Sequence, residues 1–161
     1  MVCSFTGHRK IESDHRAALV AMLARAIEYA YSEGCRDFIC GGAIGFDTLA
    51  AREVIRFRMT HTDTRLILAL PCIEQDLKWS DAQKSAYEFT LTAADEVVYT
   101  SDSYTKSCMA ERNRFLAERC DILIAYVGRM TSGAGQTMRM AEKLEKRIYN
   151  LYPTLHKEIQ K

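Results

Sequence analysis

The chain has 161 residues, the length of one domain that buries roughly two-thirds of the surface its unfolded chain exposes. Hydrophobic residues make up 48% and charged residues 27%, which argues against disorder, and the net charge of +1 argues against binding nucleic acid mainly through phosphates. No apolar run approaches the roughly 20 residues that cross a membrane, and the six cysteines include no CxxC pair, so we expect a reduced cytoplasmic protein without a metal site.

Six short apolar runs recur about every 25 to 35 residues, a spacing typical of strands separated by helices. Most of these runs are continuously apolar, as expected of strands that are covered on both faces of a sheet. The predicted strands are Val2–Thr6, Asp37–Cys40, Leu66–Leu70, Glu96–Tyr99, Ile122–Val127 and Ile148–Tyr152.

Between the strands, apolar residues recur at helical spacing. In the first such segment Leu19, Leu23 and Ile27 share one helix face, and Gly34 follows as a stop signal. The predicted helices are His15–Ser32, Asp47–Met59, Ser80–Thr92, Met109–Arg119 and Thr137–Lys146.

This alternation of strands and helices predicts one α/β domain. We expect a three-layer sandwich in which a mostly parallel sheet of about six strands carries helices on both faces. The domain is placed at residues 1–152, and residues 153–161 are predicted as a C-terminal tail, either a short helix or a frayed end.

Unusual residues follow four of the predicted strands at the point where each strand ends. They are Gly7-His8-Arg9, then Gly41-Gly42-Ala43-Ile44-Gly45-Phe46-Asp47, then Pro71, and then Gly133-Ala134-Gly135-Gln136-Thr137. The carboxyl ends of parallel strands share one edge of a sheet, and ligands bind beyond that edge. The pattern therefore predicts a binding site there.

The two glycine-rich segments are explained either by binding of a phosphate or by tight turns of the chain. Glycines in a strand-to-helix turn let the backbone approach a ligand, and the helix N-terminus that follows offers free N–H groups to a phosphate. Either segment taken alone is as well explained as a tight turn. Two of them in one sheet, together with Gly7-His8-Arg9, favour a two-sided cradle for a phosphorylated ligand.

Four polar side chains at these positions are candidate site residues, and each has a structural alternative. Asp47 either caps the second helix or accepts hydrogen bonds from a ribose hydroxyl. Arg9 and Arg112 either pair with a phosphate or are solvated surface charges. His8 is an acid, a base or a phosphate donor, or else a hydrogen-bonded structural group.

Two common nucleotide motifs are absent from the sequence. Gly41-Gly42-Ala43-Ile44-Gly45 does not match GxGxxG, and no GxxxxGK[ST] occurs. Their absence argues against a routine hydride-transfer enzyme and against an NTPase, but NAD-derived ligands stay open.

The motifs resemble a known family when they are taken in order. The series comprises Phe5-Thr6-Gly7-His8-Arg9, Gly41 to Asp47, Leu70-Pro71-Cys72, Met109-Ala110-Glu111-Arg112-Asn113 and Ser132 to Thr137. From about Val2 to Tyr152 it resembles the YpsA-like branch of the SLOG superfamily, which joins the LOG-type nucleoside-monophosphate phosphoribohydrolases with the DNA-processing protein DprA/Smf. The resemblance implies a Rossmann-like fold that binds a nucleotide or a nucleotide-derived signal.

The resemblance also implies which residues form the site. The expected ligand is a small phosphorylated nucleotide, NAD or an ADP-ribose-type molecule. The superfamily also implies a possible homodimer, although no apolar face in the sequence requires one. The implied ligand-binding residues are Gly7, His8, Arg9, Gly41, Gly42, Ala43, Gly45, Asp47, Pro71, Arg112, Asn113, Gly133, Ala134, Gly135 and Thr137.

Comparison with the LOG enzymes bears on catalysis. Those enzymes pair an arginine in Met-His-x-Arg-Lys with a glutamate in Pro-Gly-Gly-x-Gly-Thr-x-x-Glu to cleave an N-glycosidic bond. Arg112 matches the arginine, but Met140 stands at the glutamate position, and Glu142 lies about 200° further round a helix. A thioether cannot replace the carboxylate that this chemistry needs.

Three hypotheses remain at this point. The first is a nucleotide-binding protein or sensor without strong turnover. The second is a hydrolase of a nucleotide or its ribosyl bond, with Arg112, Asp47 or His8 as catalytic candidates. The third, DprA-like binding of single-stranded DNA, would rely on Arg52, Arg56 and Arg58, a cluster that Glu53 and Asp63 dilute, so nucleic acid is the least expected partner.

Overall fold

Six parallel strands form one sheet in the computed structural model of the protein, which describes residues 1–159. The order across the sheet is β4-β3-β2-β1-β5-β6, and every neighbouring pair is parallel. The strands are β1 (Val2–Gly7), β2 (Asp37–Cys40), β3 (Arg65–Leu70), β4 (Glu96–Tyr99), β5 (Ile122–Tyr126) and β6 (Arg147–Asn150). The predicted α/β fold with about six strands is confirmed.

Helices cover both faces of this sheet. They are α1 (Arg16–Ser32), α2 (Phe46–Arg58), α3 (Asp81–Ala93), α4 (Cys108–Arg119), α5 (Gly133–Lys143) and α6 (Tyr152–Ile159). Successive residues of β5 point to opposite faces: Ile122 and Ile124 belong to the core shared with α1 and α2, whereas Leu123 and Ala125 pack with α4 and α5. The result is the predicted three-layer arrangement.

Local signals explain where two of the helices begin or end. Gly34 has a φ of +112°, which only glycine adopts without strain, and it closes α1 after Ser32 as the sequence predicts. At the start of α3, Ser80 accepts a hydrogen bond from the Gln83 N–H while the Gln83 side chain accepts one from the Ser80 N–H.

The C-terminal end of the chain differs from the prediction. Strand β6 ends at Asn150, and Tyr152, predicted as the last residue of that strand, instead begins helix α6. Leu155 of this helix is fully buried in the core that contains Leu19 and Ile124. The predicted tail is therefore a packed helix as far as Ile159, and its residues 160–161 lie outside the described part of the chain.

Two further findings concern the cysteines and the helices. All six cysteine thiols are buried and free. Within residues 1–159, no helix has both the length and the apolar character that a membrane crossing requires.

Candidate functional site

A cavity of about 730 Å³ lies at the carboxyl edge of the sheet, between the ends of β1 and β5. From β1 the chain builds the sheet outward through β2, β3 and β4, and it then returns to place β5 and β6 on the other side of β1. The loops after β1 and β5 therefore lead away from each other and leave a crevice between them. Such a switch point is where open α/β sheets bind ligands.

Nine of the predicted site residues line this cavity. They are Gly7, His8, Arg9, Ala43, Asp47, Arg112, Asn113, Gly133 and Ala134. The other six, Gly41, Gly42, Gly45, Pro71, Gly135 and Thr137, do not line it. Ten residues that were not predicted complete the wall: Thr6, Lys10, Glu12, Met109, Leu116, Tyr126, Gly128, Arg129, Ser132 and Tyr152.

The glycines after β2 position the neighbouring loop rather than face the cavity. Gly45 has a φ of +79°, and a Cβ on it would collide with the carbonyl oxygen of Arg9. The Phe46 N–H donates to the carbonyl of His8 at 3.1 Å, and a Cβ on Gly7 would strike the Phe46 ring. These close approaches fix the backbone that carries His8 and Arg9 into the cavity wall.

Asp47 does not cap helix α2. Gly45 is the N-cap, and Asp47 lies in the first turn with its carboxylate Oδ2 accepting the Ala43 N–H at 3.1 Å. The residue is 5% exposed. Burial raises the pKa of Asp47 from 3.8 to about 6, against the opposing effect of the nearby Arg112 guanidinium and the Ala43 N–H. Asp47 therefore exchanges a proton closer to neutrality than an ordinary aspartate.

Arg112 is buried, so the alternative that it is a solvated surface charge is wrong. Its guanidinium donates to the carbonyl of Gly41 and, through Nε, to the Asn113 Oδ1 at 2.9 Å. The Asn113 amide in turn donates to the Gly133 carbonyl at 3.5 Å. Burial lowers the pKa of Arg112, and the carboxylate of Asp47 opposes that effect. The pair Asp47–Arg112 thus sets the charge at the floor of the cavity.

His8 organises the loop after β5. Its Nε2 accepts hydrogen bonds from the N–H groups of Gly128 and Arg129 at 2.8 and 3.2 Å, so the proton of the neutral ring lies on Nδ1. Burial lowers the pKa of His8, and the positive charge of Arg129 adds to the effect. The hydrogen-bonded structural alternative describes this histidine, because protonation at Nε2 would break both contacts.

The segment from Gly133 to Thr137 is the first turn of helix α5, not a loop before it, so the predicted helix start at Thr137 is wrong. Ser132 is the N-cap, and its hydroxyl accepts the Gly135 N–H at 3.0 Å. A Cβ on Gly135 would collide with the carbonyl of Met130, and the buried Thr137 hydroxyl donates to the Gly133 carbonyl at 3.1 Å. This turn directs the N-terminus of α5 at the cavity.

Sequence reasoning missed a cluster on the opposite wall. The Tyr152 hydroxyl donates to Glu12 Oε1 at 2.5 Å, and Glu12 Oε2 lies 3.1 Å from Nε2 of His15. The Tyr126 hydroxyl is 2.8 Å from Nδ1 of His15. These residues come from the β1–α1 segment, α6 and β5, and no motif joins them in the sequence. Glu12 and His15 are three residues apart in the sequence, and the fold brings Tyr126 and Tyr152 to them.

Comparison with known proteins identifies the family. A model for YpsA, described as the YspA SLOG family, matches residues 3–156. The chain belongs to this family. The match covers nearly the whole sequence and includes α1 to α5 together with the first residues of α6.

Two relatives from Bacillus species illustrate the similarity in sequence. The chain is 27% identical over 152 residues to the "Uncharacterized SPbeta prophage-derived protein YoqJ" of Bacillus subtilis (strain 168), covering 86% of this chain and 89% of the relative. It is 26% identical over 174 aligned positions to a "UPF0398 protein" of Bacillus thuringiensis (strain Al Hakam), covering 99% and 92%.

Two solved structures of DNA processing protein A share the fold of this SLOG protein, each with a TM-score of 0.64. The Helicobacter pylori protein, whose title describes a single-stranded DNA binding mode, is 19% identical and matches 92% of this chain. The Streptococcus pneumoniae protein is 16% identical and matches 98% of this chain. This chain spans only 63% and 55% of those two proteins.

The cavity of this SLOG protein has a positive balance of charge. Four cationic side chains, Arg9, Lys10, Arg112 and Arg129, line it against the two carboxylates of Glu12 and Asp47. An excess of positive charge of this kind favours an anion over a cation.

The two positions compared with the LOG glutamate lie elsewhere. Neither Met140 nor Glu142 lines the cavity. Met140 packs against the apolar cluster between α5 and the sheet, and Glu142 is exposed on the outer face of the helix. No carboxylate of α5 therefore reaches the cavity.

The predicted basic cluster on α2 is largely neutralised by ion pairs. Arg58 lies 2.6 Å from Asp95, and Arg56 lies 3.4 Å from Glu53. Arg52 is exposed on the same helix. Asp63, which the sequence grouped with this cluster, pairs with Arg36 at 2.9 Å instead.

Proposed function

We propose that this protein binds a small phosphorylated nucleotide or nucleotide derivative, such as AMP, ADP-ribose or NAD, in the cavity between the ends of β1 and β5. The observation that carries the proposal is the position of a cation-lined cavity at the switch point of the sheet. Its volume of about 730 Å³ falls within the range of small-molecule sites.

The cavity offers complementary groups for the parts of such a ligand. The first turn of α5 supplies the N–H groups of Gly133 and Ala134, which precede the first N–H that donates within the helix, that of Gln136, together with the positive end of the helix dipole. Arg9 and Arg129 provide exposed positive charges for phosphate oxygens. The half-buried ring of Tyr152 offers an aromatic surface to a base or a sugar.

The other two hypotheses have less support from the side chains. Hydrolysis in the manner of the LOG enzymes needs a carboxylate where Met140 packs against the apolar cluster. Binding of single-stranded DNA needs a continuous basic groove, whereas Arg56 and Arg58 are engaged with acidic neighbours. The likeness to the DNA processing proteins concerns the fold.

Thermal-shift and calorimetric titrations with AMP, ADP-ribose, NAD and cyclic nucleotides test the proposal. The titrations are run in EDTA, with adenosine as the ligand that lacks a phosphate. At about 100 times Kd a bound nucleotide adds about 2.7 kcal/mol to the free energy of unfolding and raises Tm by roughly 5–10 °C. Adenosine should produce a much smaller shift.

Variants then locate the site. Arg129→Ala removes an exposed cation from the cavity wall and should weaken nucleotide binding about tenfold, since a charged hydrogen bond contributes roughly 1.5 kcal/mol or more. The matched control Arg52→Ala removes an exposed arginine of α2 and should leave Kd unchanged. A protein that none of these nucleotides stabilises, or variants that weaken binding equally, would contradict the proposal.

A further inference from the structure

Three side chains converge at the Glu12 wall of the cavity and resemble the ligand set of a metal ion. Glu12 belongs to the segment after β1, His15 immediately precedes α1, and His156 lies on α6. One carboxylate oxygen and one imidazole nitrogen from each histidine all lie within 4.8 Å of one another. Glu12 and His15 are three residues apart in the sequence, and the fold brings His156 to them.

The distance between two of these ligand atoms already suits a tetrahedral ion. Glu12 Oε2 and His15 Nε2 are 3.1 Å apart. Ligands at about 2.0–2.1 Å from a tetrahedral zinc ion lie about 3.3 Å from each other. The ligand nitrogen of His156 lies within 4.8 Å of both of these atoms.

Second contacts hold the ligand atoms in place. His15 is 1% exposed, and its Nδ1 lies 2.8 Å from the hydroxyl of the buried Tyr126, so its Nε2 is directed at Glu12. Tyr152 donates its hydroxyl proton to the other oxygen of Glu12. Metal-binding histidines and carboxylates are oriented by outer partners of this kind.

The third ligand is held by its aromatic neighbours. The His156 ring stacks on Tyr152 with centroids 5.6 Å apart and an angle of 17° between the planes. It meets the His15 ring edge to face at 6.0 Å. The ring therefore stays beside the other two ligands.

We propose that Glu12, His15 and His156 bind a divalent transition-metal ion of the zinc class. Two imidazoles and one carboxylate suit zinc, whereas magnesium and calcium prefer sites built from oxygen alone. Three protein ligands leave the fourth tetrahedral position to water or to an oxygen of a bound phosphate. Because Glu12 and Tyr152 line the cavity, the ion lies at the cavity wall. Coordination of a phosphate oxygen by the ion rests on the proposed nucleotide binding, whereas the binding of the ion itself does not.

Titration of the EDTA-treated protein with Zn²⁺ tests the site. We expect one ion per chain by calorimetry, and a visible absorption band of a tetrahedral centre when Co²⁺ replaces zinc. His156→Ala removes an exposed ligand, and Glu12→Gln removes the carboxylate charge. Each should weaken the binding of Zn²⁺ about tenfold or more and diminish the cobalt band.

His61→Ala is the matched control, since this half-buried histidine lies beyond α2 and stacks on Phe57. It should leave both the stoichiometry and Kd unchanged. The proposal is overturned if no Zn²⁺ binds at micromolar concentration, or if the parent protein and the His156→Ala and Glu12→Gln variants share one Kd. The nucleotide titrations contain EDTA, so failure of one test is distinguishable from failure of the other.

Discussion

At the scale of single residues, Asp47 carries an energetic cost that depends on pH. Burial raises its pKa to about 6 in the folded protein, from 3.8 in an exposed aspartate. The folded state therefore holds a proton that the unfolded state has lost between about pH 4 and pH 6, and the contribution of Asp47 to stability falls as the pH rises through this window. Above pH 6 the full cost, on the order of 3 kcal/mol, is present.

Asp47→Asn removes this cost while its side-chain carbonyl still accepts the Ala43 N–H. We expect the free energy of unfolding of the variant, minus that of the parent protein, to increase by up to about 3 kcal/mol between pH 4 and pH 7. Urea unfolding at a series of pH values measures this difference. A difference that does not change with pH would show that Asp47 has an ordinary pKa.

Asp95 provides a control of opposite sign. Although burial opposes it, hydrogen bonds from the Leu66 N–H and from Arg58 lower the pKa of Asp95. Its carboxylate stabilises the fold above the unfolded pKa, and this contribution is lost as the pH falls. The difference for Asp95→Asn should therefore become less favourable as the pH rises, in contrast to Asp47→Asn.

The residues show what sequence could predict of the site. Gly45 and Arg9 were both assigned to a ligand-binding edge, and the edge is where the cavity lies. The sequence could not show that Gly45 supports the loop whereas Arg9 lines the cavity. That difference arises because the carbonyl of Arg9 packs where a Cβ of Gly45 would stand. Glu12 and His15 are three residues apart but match no motif, and Tyr152 comes beside Glu12 only when α6 packs on the domain.

At the scale of elements, helix α5 was predicted to begin four residues too late. Gly133 and Gly135 have poor helix propensity, so the sequence favoured a loop up to Thr137. The Ser132 hydroxyl reverses that preference by accepting the Gly135 N–H, and close packing against Met130 requires a glycine at position 135. Capping and packing therefore override intrinsic propensity at the wall of the cavity.

Ser132→Ala tests the contribution of this cap. Loss of the side-chain acceptor should lower the free energy of unfolding by about 1 kcal/mol and loosen the first turn of α5, so nucleotide affinity should fall as well. Ser80→Ala removes the cap of α3 and should cost a similar amount of stability without changing Kd. Denaturant unfolding and nucleotide titration of both variants measure the two effects. Equal effects of the two variants on Kd would contradict the assignment of α5 to the site.

At the scale of the whole molecule, the regular spacing of apolar runs was enough to predict a parallel α/β sheet. Each run is short and buried, and each is followed by a helical segment, which restricts the possible folds strongly. The position of the cavity could not be predicted from this spacing alone. It depends on β5 lying beside β1 rather than beyond β4, and the order of strands follows from packing between segments that are more than 100 residues apart.

The sequence pattern also did not predict where the domain ends. Residues 153–161 were predicted as a tail, either a short helix or a frayed end, and the pattern did not show that Leu155 belongs to the core. In the fold this leucine is fully buried against the core that α1 and β5 share, and its helix carries Tyr152 to Glu12. Helix α6 therefore acts as a wall of the cavity and as part of the hydrophobic core.

Leu155→Ala tests whether α6 is integral to the domain. Truncating a fully buried leucine removes apolar contact and leaves a cavity, so we expect the free energy of unfolding to fall by about 2–5 kcal/mol. Leu77→Ala is the matched control, because Leu77 is 66% exposed and its truncation should change stability by less than about 0.5 kcal/mol. Urea unfolding of both variants measures the contrast. If the two variants were equally stable, α6 would contribute nothing to the core, and the cavity wall formed by Tyr152 and Glu12 would lose its structural support.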